Sequence, residues 1–483
     1  MINIRSLSLT LLYIVCFICS ITFSYSQTER SNKPRIIVTT DGEIDDECSM
    51  VRFLLYANEF DIEGIITTSS QYHWQGHEWA GDEWIDPYLD AYREVYPNLV
   101  RHDPNFPTPS YLRKKTRMGN MSEEGEMKQL TEGSQLIVDV LLDETDIRPI
   151  WIQAWGGFNT IARALWTIEE EHPERMAEVA QKIRLYGIFE QDSTFQSYIL
   201  PHWGKYQITT IISDQFEAIA YRWKKILPKD QHAYFDGKWM RSNILQDHGP
   251  LCALYKSHKA GEEGFDENDF RSEGDSPAFF HSITTGLRSM ESPDWGGWGG
   301  RFVWVRDNTW LDPPPYEGYV YPEGRYFRET CWGRINILAG VTSHNDERMM
   351  NFFKPAWRWA VVQQNDWAAR ADWCVKSYEE ANHPPVVVLD HALDLNILPG
   401  ELVKLSAKGT TDPDGDELSY QWWQYEEADT YEGTISIQDS GQQDASFVVP
   451  DNSQGKTIHV VCEVTDNNTP PMTRYQRVVI NIK

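Results

Sequence analysis

The chain has 483 residues, with 44 Lys and Arg against 72 Asp and Glu and a formal net charge of −28. That length supports more than one domain, and 41% hydrophobic with 13% aromatic residues excludes global disorder. The acidity argues against nucleic acid or an anionic membrane as the main partner, since both need basic patches; it fits neutral or cationic ligands, or metal ions.

In chain order, Arg5 precedes a mostly apolar run from Leu9 to Phe23, and Ser24-Tyr25-Ser26 offers small residues before Gln27. This pattern predicts a secretory signal peptide over residues 1–26 and a periplasmic or secreted protein. No later run has the length of a membrane span. Beyond the signal segment lie Cys48, Cys252, Cys331, Cys374 and Cys462. Their odd number, wide spacing and lack of a CxxC pair argue against a zinc ribbon and a disulfide scaffold. One or two bridges remain open, with no pairing indicated.

Residues 34–380 alternate between buried-strand and helical patterns. Strands are predicted over 34–40, 60–68, 149–154, 183–189 and 207–213, and helices over 45–57 and 159–171. This rhythm predicts an α/β domain with a doubly wound, mostly parallel sheet. No GxGxxG fingerprint, P-loop, Ser nucleophile elbow or HExxH motif is present, so the residues support neither a dinucleotide cofactor nor covalent Ser catalysis. Residues 379–385 are polar and end in Pro384-Pro385, a predicted linker. Residues 384–483 hold short β-rich runs from Pro385, Leu402, Leu418, Ser446, Thr457 and Gln476, predicting a small all-β immunoglobulin-like sandwich. The turn Asp412-Pro413-Asp414-Gly415-Asp416 admits two readings, a calcium site or, preferred, Asp and Gly used for the backbone.

The chemistry concentrates after the first strand, in Thr40-Asp41-Gly42-Glu43-Ile44-Asp45-Asp46. A buried strand delivers Asp41 to the carboxyl edge of the sheet, where open α/β sheets bind ligands. Asp45 and Asp46 open the next helix. Three carboxylates this close repel unless a cation or water lies among them, and a hard divalent ion takes several such oxygens. Helix capping accounts for one or two of them but not for Asp41 at a strand end.

These residues resemble the opening motif of the calcium-dependent nucleoside hydrolases. The stretch Trp155-Gly156-Gly157-Phe158-Asn159-Thr160-Ile161-Ala162 is similar to that family's loop after a central strand, and Glu273-Gly274-Asp275 is similar to its later metal-ligand segment. With the Trp- and Gly-rich run 295–300 and the terminal sandwich, the chain resembles one bacterial family more closely. That family comprises secreted cellulose-binding proteins with a nucleoside-hydrolase-like domain and a small C-terminal sandwich. The resemblance implies Ca²⁺ held by Asp41, Asp46, Asp275 and the carbonyl of Trp155. It makes Asp41 the general base toward water and Asp45 the residue holding a sugar hydroxyl. Asp247 is the rival to Asp275, which is preferred because an apolar helix-like run follows it. The implied reaction is hydrolysis of an N-ribosyl or other glycosidic bond through attack at C1. The alternative is a carbohydrate binder, for a cellulose-like polysaccharide, that has lost catalysis. Three departures favour a ligand other than a nucleoside: Thr39 replaces a frequent Asp, Ser70 or Gln71 a ribose-binding Asn, and Gly274 a frequent His.

Further substrate-binding candidates are His73 and Trp74, in an aromatic segment that includes Trp84, together with Asn120 and Asp192 on loops. Trp295, Trp298, Trp304 and Trp310 are read as core packing rather than a sugar-stacking surface. His344-Asn345-Asp346 is read as a helix start rather than a metal corner.

Overall fold

The structure, a computed structural model, describes residues 33–262, 264–314, 317–321 and 347–483. The predicted signal segment, Cys331 and His344-Asn345-Asp346 lie outside the described residues.

The α/β domain is built on an eight-stranded sheet. Its strands are β1 (Arg35–Thr40), β2 (Asp61–Thr67), β3 (Thr116–Met118), β4 (Ile150–Ala154), β5 (Ile183–Ile188), β6 (Thr209–Ser213), β7 (Val303–Arg306) and β8 (Thr309–Leu311). Their order is β3-β2-β1-β4-β5-β6-β8-β7, and all pairs are parallel except β7–β8. β1 and β4 are buried at every residue, as expected where helices cover both faces of a parallel sheet. Crossovers include α1 (Ile44–Leu55), α2 (Asp86–His102), α3 (Glu132–Leu142) and α4 (Asn159–Glu171). β1 reverses the direction of strand addition, which opens a crevice at the carboxyl ends of its neighbours. Register there is level: Thr40 lies opposite Thr67, and Thr39 opposite Ala154.

The β7–β8 hairpin turns through Asp307 and Asn308, both at positive φ, the twist-matched two-residue turn. It corrects the reading of the tryptophans as one core. Trp298 is buried, whereas Trp304 is 58% exposed beside its cross-strand partner Trp310. The antiparallel edge strand leaves one hairpin face unpacked.

The C-terminal region forms a two-stranded sheet of β10 (Leu402–Ser406) and β12 (Asp444–Val448) and a four-stranded one. The second contains β11 (Leu418–Gln424), β13 (Thr457–Asp466), β14 (Thr473–Ile482) and β9 (Asp394–Ile397). Trp422, Val460, Cys462 and Ile480 lie in the core between them. The strand predicted from Pro385 makes only one bridge, Val386 to Thr411. Pro384 and Pro385 lack N–H donors, and β9 takes the sheet edge instead.

The segment predicted as a linker is packed rather than exposed. Ala381, Asn382 and His383 are buried. Asn382 donates to Asp466 and to the Pro470 carbonyl, and His383 lies 3.0 Å from Asp414 and stacks on Tyr378. Trp359 packs on Trp423, Tyr425 and Tyr475, so the larger core continues into the sandwich. Tyr475 and Arg477 donate backbone N–H bonds to the carbonyls of Thr285 and Gly286. A Cβ on Gly286, at φ +94°, would lie 1.8 Å from the Tyr475 oxygen. Only glycine permits that approach.

Candidate metal centre and ligand pocket

β1 carries Asp41 to the crevice, and α1 brings Asp45 and Asp46 in its first turn. The Thr40 hydroxyl and the Asp41 N–H both donate to Asp46 Oδ1, the latter at 3.2 Å. Glu43 occupies the N-cap of α1 without a side-chain capping bond. Asp275 arrives from a distant segment, just before α5 (Ser276–Phe280). Carboxylate oxygens of Asp45, Asp46 and Asp275 all lie within 4.8 Å of one another. Asp247, the rival for that place, sits exposed on a turn with φ 64°.

The cluster is under electrostatic load. Burial pushes Asp41 well above the usual carboxylate range, and Glu43 adds to it. Burial is also the first cause for Asp46, followed by Asp41 and Asp45, and for Asp275, followed by Asp46, Asp45 and Asp41. Asp45 is raised by burial too, but the Tyr221 hydroxyl donates to it at 2.8 Å and opposes the shift. Neither Asp41 oxygen nor Asp275 Oδ2 meets a donor in hydrogen-bond geometry, although Ser70 lies beside Asp41. Buried polar atoms are seldom left so. The hard oxygens of Asp45, Asp46 and Asp275 at this spacing, with the orphaned carboxylate of Asp41, whose N–H donates to Asp46, fit a divalent cation such as Ca²⁺.

The Trp155 side chain is core, set edge-on to Phe53. Its carbonyl accepts a bond from Gln191 Nε2, so a neighbouring amide already engages the oxygen expected to face the metal.

The substrate candidates divide into two groups. Gln71 is buried with both amide atoms free of partners. His73 places Nε2 3.8 Å from Glu43 and buries an unpartnered Nδ1. Ser70 lies beside Asp41 while its Oγ accepts from the N–H groups of Tyr72 and His73. Ser70 and His73 stand near the carboxylates, and Gln71 follows Ser70 in the chain with a buried, unpartnered amide. Trp74 instead stacks on His77, with ring centroids 4.2 Å apart. Asn120 spends its amide within the protein, donating to Glu126 and the Gln129 carbonyl and accepting from Thr131. Asp192 accepts from Thr194 and from the N–H of Asn159 at the start of α4; burial pushes it up to about 6. Asn120 and Asp192 are therefore scaffold for the loops around the crevice.

The sequence assigns no role to Glu43 or Tyr221, and it offers Gln191 as a hydroxyl ligand and Trp84 as part of an aromatic segment open to sugar stacking. Trp84 Nε1 is buried, unpartnered, and against Gly42. Glu43 stood within the motif, where its added charge was visible. Tyr221 reaches the crevice through tertiary structure and carries no local pattern, and the contact of Gln191 with the Trp155 carbonyl is likewise long-range.

The description "Cellulose-binding Sde182, nucleoside hydrolase-like domain" matches residues 35–302. That of the C-terminal domain of cellulose-binding protein Sde0182 matches residues 402–482. A solved structure of a nucleoside hydrolase-related hypothetical protein from Saccharophagus degradans, described as associated with carbohydrate metabolism, is 32% identical. That match covers 94% of this chain and 100% of the other, with a TM-score of 0.73. The inosine-uridine preferring nucleoside hydrolase from Bacillus anthracis is 14% identical over 46% of this chain and 76% of its own, with a TM-score of 0.28. No curated protein matches the chain.

Proposed function

The chain belongs to the cellulose-binding Sde182 family with a nucleoside hydrolase-like domain, and from that premise we propose a calcium-dependent hydrolase of a glycosidic bond, acting outside the cytoplasm. The observation that carries this reading is the set of buried carboxylates whose Asp41 and Asp275 oxygens lack donors. Asp41, Asp46 and Asp275 would hold Ca²⁺, with the Trp155 carbonyl completing the set if Gln191 yields it. When bound, the ion supplies charge compensation and orients water and sugar hydroxyls. Asp45, steadied by Tyr221, holds a ligand hydroxyl. Asp41 takes the proton from the water that attacks the sugar C1. Gln71, Ser70 and His73 form the polar wall that orients the carbohydrate or nucleoside-like ligand.

The second reading, a binder of cellulose-like polysaccharide without turnover, is favoured by Gln191 on the Trp155 carbonyl. Gly274 also leaves the leaving-group side without the His of nucleoside hydrolases. Calorimetry of Ca²⁺ binding to the chelator-stripped full chain and to Asp46→Ala tests the metal site. The proposal expects binding in the parent and its loss in the variant; a parent that binds no Ca²⁺ overturns it. Release of reducing sugar or free base by the parent, absent in Asp41→Asn, separates hydrolysis from binding. Retention on cellulose with neither product selects the second reading.

A further inference from the structure

Cys252 lies on the short helix Gly249–Ala253, and Cys374 lies just beyond the helix Ala360–Asp372. Both are buried, at 0% and 3% exposure. Both are free thiols in the structure; Cys374 Sγ donates to the Arg370 carbonyl at 3.9 Å, and the neighbouring Cys252 thiol raises it above an ordinary thiol. Backbone geometry places them together independently. A Cβ built on Gly249 would lie 3.6 Å from the Cys374 Cβ, and His248 Nε2 lies 3.2 Å from Asp372, so the two segments that carry the cysteines pack against each other. The other described cysteines are engaged elsewhere: Cys48 donates to the Lys256 carbonyl, and Cys462 lies in the sandwich core.

We propose that Cys252 and Cys374 form a structural disulfide when the chain folds in an oxidising compartment. The bond joins the helix Gly249–Ala253 to the end of the helix Ala360–Asp372 and closes a loop that includes Asp275. It does not depend on whether the pocket is catalytic. The oxidant is a disulfide R′S–SR′, small or protein-borne. One cysteine thiolate attacks it and releases R′S⁻. The second thiolate then attacks the mixed disulfide, forms the Cys252–Cys374 bond and releases the second R′S⁻. The two thiol protons pass to the two leaving thiolates, and the cysteines give up two electrons. The neighbouring Cys252 thiol and burial raise Cys374 well above an ordinary thiol, so its thiolate is scarce in the closed fold. Oxidation therefore precedes burial.

The test refolds the full chain in oxidised and reduced glutathione, blocks free thiols under denaturing conditions, and maps peptides without reductant. The expected result is the Cys252 peptide joined to the Cys374 peptide, lighter by two hydrogens than their sum. Full alkylation of both cysteines, or either one joined to a different cysteine, overturns the proposal. Reduction should lower the Tm of the parent by about 5 °C, from closing a loop of this length in a protein of this size. It should leave the Tm of Cys252→Ala/Cys374→Ala unchanged. Should the double variant fail to fold, the peptide map of the parent decides alone.

Discussion

Gly274 shows how tightly the acidic cluster is packed. A Cβ there would lie 2.3 Å from Asp45 Oδ2, so the backbone itself forms the wall behind that carboxylate. Gly274→Ala is expected to push Asp45 off Tyr221, costing about 1–3 kcal/mol of stability through overpacking. Ligand affinity should fall about tenfold, equivalent to 1.4 kcal/mol; calorimetry at unchanged secondary structure checks both. Tyr221→Phe removes only the donor to Asp45. It should weaken ligand binding by about 1 kcal/mol, the worth of one such bond, and leave the melting temperature nearly unchanged. His281 offers a pH test remote from these groups. It lies among Trp151, Tyr186 and Phe302, and burial pushes it down to about 3. The unfolded chain binds this proton near pH 6.5, the native one only near 3. Stability is therefore fully present above 6.5 and is lost as pH falls between those values. At pH 4 the loss is about 3 kcal/mol. His281→Phe should flatten that part of the denaturation profile measured in urea; an unchanged acid limb would show that His281 does not set it.

At the scale of elements, α1 links the acidic mouth to its support. Its N-terminus presents Asp45 and Asp46, and its last turn presents Arg52 to Glu273 at 2.6 Å. Glu273 stands two residues before Asp275, so one buried ion pair holds the segment bearing the distant carboxylate. Arg52 also donates to the Gln363 carbonyl and lies 4.1 Å from the Trp367 ring. Arg52→Ala should destabilise the protein by about 3–5 kcal/mol, because Glu273 is left buried and unpaired; chemical denaturation measures it. Much of this frame was legible in the sequence. The apolar run 35–40 and the helical spacing after Asp45 are local signals, and both elements form nearly where predicted. Asp275 could be singled out, but its approach to Asp45 and Asp46 is a long-range contact. The role of Tyr221 and the contact of Gln191 with the Trp155 carbonyl escape the sequence for the same reason. The prolines at 384–385 resembled a linker because composition records backbone preference, not what packs against it. The hairpin at 303–311 went unpredicted because its turn, Asp307-Asn308, lacks the usual glycine.

The molecule as a whole behaves as one packed body from residue 34 onward. Apolar contact alone does not explain this, since aromatic faces can slide. Directional bonds set the orientation. Asp366, buried in the α/β domain, binds Arg370 within its helix and Arg474 of β14 at 2.6 Å. Arg477 reaches the Gly296 carbonyl, and Arg358 contacts Glu427 from the other side. Burial lifts Asp366, but the two arginines outweigh it and hold the group below the usual carboxylate range. The sandwich therefore completes the core of its neighbour. Removing residues 384–483 would expose Trp359 and strand Asp366 with a single arginine, so the truncated chain should aggregate. The intact protein should instead unfold in one calorimetric transition with matching van't Hoff and calorimetric enthalpies. Arg474→Ala should lower the Tm by about 2 °C, from the loss of one charge-assisted bond in a protein of this size. Two separate transitions in the parent would show that the regions fold independently. Their shared core would then be a contact without coupling, and polysaccharide held by one region would leave the acidic crevice of the other unaffected.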